Sequence, residues 1–231
     1  TIYATGLNKA TNDGILTFDG SAETNGHFSI STAGAGTHTI TLGSGNDTYT
    51  GSDGTGVQTI TASAGTNSIT TGTGADVITG GSGTDTMTGG TGADVFTWAS
   101  ATNALNDTVT DWTTADDQVS LTLDYSGSSV AIDFSGVRTS AGVDSATAVE
   151  ATLSGKLGEY AYDTTSSTLL VNITADSSIS GADIQVGLNA ATTAADTVAA
   201  GDVQYTVTGT ALADTIVTGG GADTITCLLY T

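Results

Sequence analysis

Three aspartates nine residues apart, Asp76, Asp85 and Asp94, are the side chains best placed for chemistry in this 231-residue sequence. Glycines precede each at constant offsets: Gly72 and Gly74, Gly81 and Gly83, Gly90 and Gly92. Carboxylates that recur at a period, instead of converging as one pair, suit ligation of a hard cation better than general acid–base work. Glycine in the intervening turns permits positive φ and lets carbonyl oxygens converge with no Cβ in the way. Asn67 occupies the same place one period upstream, and Asp47 stands two periods further back across an insertion.

These residues belong to a nonapeptide, G-G-x-G-x-D-x-U-x, where U is a large apolar residue. GGSGTDTMT from Gly80 and GGTGADVFT from Gly89 fit it in full, and TGTGADVIT from Thr71 lacks the first glycine. In the same register, ASAGTNSIT from Ala62 and DGTGVQTIT from Asp53 put Asn67 and Gln58 in the Asp position. Gly51 and Ser52 interrupt the register before LGSGNDTYT (42–50) and AGAGTHTIT (33–41). A second block, GTALADTIV (209–217) and TGGGADTIT (218–226), carries Asp214 and Asp223. The first six residues of the unit read as a turn, and x-U-x as a three-residue strand with U inward and its neighbours outward. Two units make one superhelical turn, stacking equivalent strands in parallel at a spacing of ~4.8 Å. The expected fold is therefore all-β: a right-handed parallel β-roll with two small sheets, plus an additional β-rich domain. Its predicted core is Ile40, Tyr49, Ile60, Ile69, Ile78, Met87 and Phe96. So thin a core cannot by itself offset the entropy of ordering a glycine-rich chain. Ca²⁺ in the turns would cancel carboxylate repulsion and make folding conditional on the ion.

The overall composition agrees with that chemistry. Twenty-four acidic residues face three basic ones, for a net charge of -21. Nucleic acid and anionic membrane surfaces are thereby disfavoured as partners, and cations are favoured. The single cysteine, Cys227, excludes an internal disulfide framework and reads as a buried thiol. No apolar run reaches the ~18 residues of a membrane span, so no membrane insertion is expected. Opening on Thr rather than Met, the chain is expected to be a processed product or a fragment. Enzyme signatures are missing: there is no H-E-x-x-H, G-x-S-x-G or P-loop, and the two histidines are His27 and His38. His38 stands in the Asp position of a degenerate repeat and reads as a turn residue, since imidazole favours softer ions than calcium.

Residues 33 to 97 and 209 to 226 resemble the RTX repeats of bacterial proteins exported by type I secretion. The resemblance implies Ca²⁺ between the turns of repeats n and n+2, held by both Asp side chains and by loop carbonyls. Carried onto this chain, it pairs Asp76 with Asp94 and Asp85 with Asn67, and sets Asp47 against Asn67. Carbonyls of the turns around Gly72, Gly74, Gly81, Gly83, Gly90 and Gly92 would complete these sites, with Asp214 and Asp223 serving the second block. Asp107-x-Val109-x-Asp111-Trp112 is similar to the segment that closes such rolls, whose acids bind a further calcium. Asp116 and Asp117 follow, read equally as solvated turn acids or as ligands.

Four regions are expected: an N-terminal β segment (1–32), the roll (33–97), a closing segment with a β-rich domain (98–208), and a truncated second repeat block (209–231). TNDGILTFDG reads as a turn and strand, Thr164 to Ser167 as a hairpin turn, and Ile184, Val186 and Leu188 as one face of a strand. The expected function is a secreted, non-enzymatic structural protein of the bacterial cell surface or matrix. In this reading it self-associates into a lattice or filament, with cell-surface polysaccharide as a further partner, and resembles RTX-type S-layer proteins. Two alternatives stand beside it. One is the calcium-binding roll of a secreted enzyme. The other is an adhesin or ice-binding module, suggested by outward Thr39, Thr41, Thr48, Thr50, Thr59, Thr61, Thr86 and Thr88 but interrupted by Val77 and Val95.

Overall fold

The apolar residue of each nonapeptide turns inward on a strand too short to do anything else. Ser68–Thr70, Val77–Thr79 and Thr86–Thr88 each bury their central residue and leave its neighbours at least partly exposed. Thr and Val flanking that residue favour extended backbone, and the glycines on either side end the strand after three or four residues. The computed structural model describes residues 2–3, 8–9, 12–52, 55–98, 106–113, 116–124, 131–133, 160–163, 166–171, 184–190, 203–208, 215–217 and 222–226. No helix occurs among the described residues.

Successive strands alternate between two sheets, so each superhelical turn adds one strand to each. One sheet stacks Ser29–Ala33, Thr48–Ser52, Ser68–Thr70, Thr86–Thr88, Asp107–Trp112 and Ile184–Ala190, all in parallel. The other stacks Leu16–Asp19, His38–Thr41, Gln58–Thr61, Val77–Thr79, Val95–Trp98, Gln118–Asp124, Val203–Thr208 and Thr224–Thr226, again in parallel. The register sets like on like. Ile30, Tyr49, Ile69, Met87 and Val109 form one inward column. Phe18, Ile40, Ile60, Ile78, Phe96, Val119 and Val203 form the other. All seven residues predicted for the core have zero exposure. Eighteen residues separate Ile60 from Ile78 and Ile78 from Phe96, the length of two nonapeptides.

Stacking extends past the consensus repeats at both ends. Leu16–Asp19 and Ser29–Ala33 precede the 33–97 block in the same sheets. The 98–208 region, expected to close the roll and form a β-rich domain, contributes four parallel strands to the roll's own sheets, Asp107–Trp112, Gln118–Asp124, Ile184–Ala190 and Val203–Thr208. The Tyr160–Asp163 and Thr168–Val171 hairpin adds antiparallel to Ile184–Ala190. In the second repeat block Thr224–Thr226 stacks on Val203–Thr208, whereas Thr215–Val217 pairs with Ala131–Asp133 in a separate small sheet. Cys227 lies outside the described residues.

The core changes character along the axis. Near its start Phe18 meets Phe28 edge to face at 5.0 Å, and Tyr49 donates its hydroxyl hydrogen to Gln58 while receiving a 2.7 Å bond from Thr32. Burial pushes the Tyr49 phenol up to about 12. Trp98 and Trp112, both fully buried, fill the core downstream of Phe96.

Glycine spacing sets how closely the turns stack. At Gly83 (φ 132°) a Cβ would lie 1.9 Å from the Gly65 carbonyl oxygen, and at Gly92 (φ 143°) 2.1 Å from that of Gly74. Backbone lies against backbone there, so no rotamer change relieves the clash. We expect Gly92→Ala to destabilise the calcium-loaded roll by about 2 kcal/mol or more in urea melts. Gly187→Ala, whose Cβ would meet nothing nearer than Thr108 Oγ1 at 3.3 Å, should cost far less; equal losses would show that turn stacking is not glycine-limited.

Candidate metal centre

The Asp position lies two residues before each inward apolar residue, where the turn enters the strand, and is therefore drawn into the roll. Asp47, Asp76, Asp85, Asp94, Asp107 and Asp117 are each 5% exposed or less. Their side chains form two ladders along the axis. In one, the amide of Phe28 donates to Asp47 Oδ1 (2.7 Å), that of Asp47 to Asn67 Oδ1 (2.9 Å), that of Asn67 to Asp85 Oδ1 (2.9 Å) and that of Asp85 to Asp107 Oδ1 (2.7 Å). In the other, the amides of Gln58, Asp76 and Asp94 donate to Asp76, Asp94 and Asp117 at 2.7, 2.8 and 3.1 Å. Each rung bonds a backbone N–H to the side chain one superhelical turn ahead.

Neutral residues can make the same rung. Asn67 Oδ1 does so, and His38 Nδ1 accepts the Leu16 amide at 3.1 Å, which places the imidazole hydrogen on Nε2. Burial depresses the His38 pKa and keeps the ring neutral. Accepting one amide is thus one task of this position, and carrying charge is another. The second task is the costly one. Burial pushes the Asp94 and Asp107 carboxyls up to about 7, and Asp85 and Asp117 to about 6, against the partial relief of the amides they accept. The neighbouring charges of Asp117, Asp76 and Asp111 push Asp94 the same way. Asp47 and Asp76 are also raised by burial.

Several carboxylate oxygens lack any partner. Asp85 Oδ2 and Asp47 Oδ2 are buried without a hydrogen bond. Asp85 Oδ2 and Asp107 Oδ2 both lie beside Gly80, at 3.1 and 3.0 Å from where its Cβ would be. Orphaned anionic oxygens beside bare glycine fit a hard cation, which satisfies the oxygens and removes the repulsion at once. Among the described residues no three Asp, Glu, His or Cys side chains converge, so main-chain carbonyls and water must supply most of the ligands. Those carbonyls are at hand: Gly72, Gly74 and Gly65 direct theirs toward Gly90, Gly92 and Gly83 of the next turn, and Ala62 and Ser63 direct theirs toward Gly81.

The structure brings Asp76 beside Asp94, and Asp85 beside Asn67, as rungs of one ladder each. Asn67 bridges its two neighbours: its Oδ1 accepts from the Asp47 amide, and its Nδ2 donates to Asp85 Oδ1 at 2.9 Å. Asp107 and Asp111, expected to share a calcium, are not brought together. They lie four residues apart on one strand, about 13 Å, and serve different neighbours. Asp107 Oδ2 accepts the Trp98 indole N–H at 2.7 Å, whereas Asp111 receives the Gly89 and Gly90 amides at 3.0 and 2.6 Å. Asp214 lies outside the described residues, and Asp223 is half-buried ahead of the Thr224–Thr226 strand. Asp117 stands evenly in the sequence between a solvated turn acid and a ligand. It is the rung after Asp94, and the signal for it is the D-x-U tripeptide Asp117-Gln118-Val119, which continues the pattern after the glycines have lapsed.

A parallel solenoid whose turns bury glycine-flanked carboxylates in register is a cation-dependent β-roll. Residues 31–57, 61–96 and 207–226 match the RTX calcium-binding nonapeptide repeat, in four copies. The chain carries RTX repeats, binds Ca²⁺ and is a secreted protein. Comparison with curated proteins finds no match.

Two outcomes follow for the buried acids. Because burial raises Asp85, Asp94, Asp107 and Asp117 to about 6 or 7 and their unfolded counterparts titrate near 4, the folded form holds more protons between those values. In EGTA, stability should therefore be greatest below about pH 4 and fall as pH rises through 7. Thermal melts in EGTA should show Tm increasing from pH 8 to pH 5, while the increment gained from calcium shrinks; a Tm that drops on acidification contradicts this. Asp85→Asn keeps an acceptor for the Asn67 amide but discards the charge. It should stabilise the calcium-free chain and destabilise the calcium-loaded one by about 1–3 kcal/mol, a crossing of urea midpoints that simple loss of packing cannot produce.

Proposed function

We propose that this chain is a structural protein of the bacterial surface or matrix, an S-layer or filament subunit that calcium folds after export and that then associates with its own copies. The observation carrying this reading is the use made of the acids. The buried carboxylates of the 47–117 region are rungs between superhelical turns, the half-buried Asp111 grips turn amides, and both repeat blocks contribute strands to one sheet. Such an arrangement stiffens a rod and suits a scaffold better than a reaction centre.

In this reading calcium lies in the turns bounded by Asp76 and Asp94 and by Asp85 and Asp107, with Asp117 extending the first set and Asn67 acting as a neutral spacer. The ion supplies charge neutralisation, and the ladders supply position. The region is non-enzymatic. Copies of the chain, and cell-surface polysaccharide, are its partners.

Sedimentation and electron microscopy of the purified chain, with and without millimolar Ca²⁺ and with Mg²⁺ as control, test the proposal. Calcium-specific gain of β structure together with ordered sheets or filaments is expected. A calcium-folded chain that stays monomeric at high concentration would instead favour the roll of a secreted enzyme or an adhesin module.

A further inference from the structure

The coil that runs from Ser21 to Phe28 does not carry the nonapeptide. Phe28 stands where the next coil has Asp47, and its amide donates to Asp47 Oδ1. A carboxylate nevertheless enters this turn from its other arm. Glu23 Oε1 accepts the amides of Asn25 (2.6 Å) and Gly26, which fixes the direction of the group. Its Oε2 is buried and has no hydrogen bond. Asp47 is 1% exposed, and its Oδ2 is likewise buried and unpartnered.

Both orphaned oxygens belong to groups that border Gly43. A Cβ at Gly43 would lie 2.8 Å from Glu23 Oε2, so the position is open only because it is glycine. Burial holds the Asp47 carboxyl above the usual range; the Phe28 and Gly43 amides offset this in part, and the Glu23 charge adds to it. His27, the basic group near Asp47, is exposed and donates Nδ1–H to the Asn46 carbonyl at 2.9 Å. Among the described residues the Gly43 amide is the one donor near the Asp47 charge on this side, and neither Asp47 Oδ2 nor Glu23 Oε2 makes a full hydrogen bond, so the buried Asp47 charge is left largely uncompensated. Asn67, on the other side of Asp47, turns its Oδ1 to the Asp47 amide and its Nδ2 to Asp85.

We propose that Glu23 Oε2 and Asp47 Oδ2 together ligate a divalent cation of the calcium class, forming a site in the first full coil of the roll that the nonapeptide pattern does not include. Oxygen-only donors favour a hard ion, and a flexible turn that offers carbonyls and water favours Ca²⁺ over the smaller, octahedral Mg²⁺. The site rests on the calcium reading of the roll, and it reassigns Asp47 from Asn67 to Glu23. The carboxylate lost at Phe28 is thereby replaced from five residues upstream.

Equilibrium dialysis of the full chain with radioactive calcium tests this, with folding checked by circular dichroism in millimolar Ca²⁺. Glu23→Gln and Asp47→Asn should each bind one ion fewer than wild type, and the double variant no fewer than either single. A wild-type ion count in Glu23→Gln overturns the site. Failure of the wild-type chain to bind any calcium would instead overturn the underlying reading. Should the variants not fold, a crystal structure of the wild-type chain grown in millimolar calcium decides: an anomalous peak between Glu23 and Asp47 is expected, and none there with other turns occupied refutes the site.

Discussion

Everything in this fold depends on placing carboxylates one superhelical turn apart inside a solenoid. Parallel stacking repeats each position at about 5 Å, and at an effective dielectric constant near 20 two like charges at that spacing repel by about 3 kcal/mol. A charge-assisted hydrogen bond returns roughly 1.5–3 kcal/mol, so a rung can position its aspartate but cannot also cover the repulsion and desolvation of the next. Asp76, Asp94 and Asp117 stand consecutively in one ladder, and Asp85 and Asp107 in the other. The stack must take up protons or cations to persist, and at neutral pH cations are the stronger remedy.

Neutral residues show where that remedy is dispensed with. Asn67 separates Asp47 from Asp85, so the first ladder never carries three charges in a row. Toward the start of the roll His38 and Gln58 replace Asp, and the Thr32, Tyr49 and Gln58 network supplies neutral polar contacts instead. Toward the other end Trp98 and Trp112 add apolar burial, and the indole of Trp98 binds Asp107. Consecutive buried charges, and with them the need for cations, are thus densest from Asp76 to Asp117.

The roll itself was legible because its period is short and its residues are unambiguous. Nine-residue spacing of Gly, Asp and an apolar residue determines turn, strand and inward face together, so the seven core positions and the Asp76–Asp94 neighbours could be read directly. What lay beyond 97 was obscured by coil length: Met87 to Val109 takes twenty-two residues and Phe96 to Val119 twenty-three. Once the glycines lapse, a parallel strand is recognisable only by its D-x-U triplet, which Asp107-Thr108-Val109 and Asp117-Gln118-Val119 both retain. The return of Ile184–Ala190 and Val203–Thr208 to the same sheets follows a long excursion, and no local pattern announces so distant a partner. Glu23 was hidden for a different reason, since it approaches Asp47 from the opposite arm of a turn whose Asp position holds phenylalanine.

Secretion and calcium dependence are one physical property seen twice. Calcium held only by the folded chain adds RT ln(1 + [L]/Kd) per site, about 1.4 kcal/mol when free calcium is ten times Kd. Extracellular calcium modules have Kd values of roughly 10⁻⁴–10⁻³ M, so the gain vanishes where calcium is scarce and accumulates over several sites where it is plentiful. A domain's net stability is itself only about 5–15 kcal/mol. A handful of such ions is therefore comparable to the whole margin between a chain of net charge -21 that repels itself and a closed roll. The same buried acids that oppose closure without calcium favour it once calcium is bound.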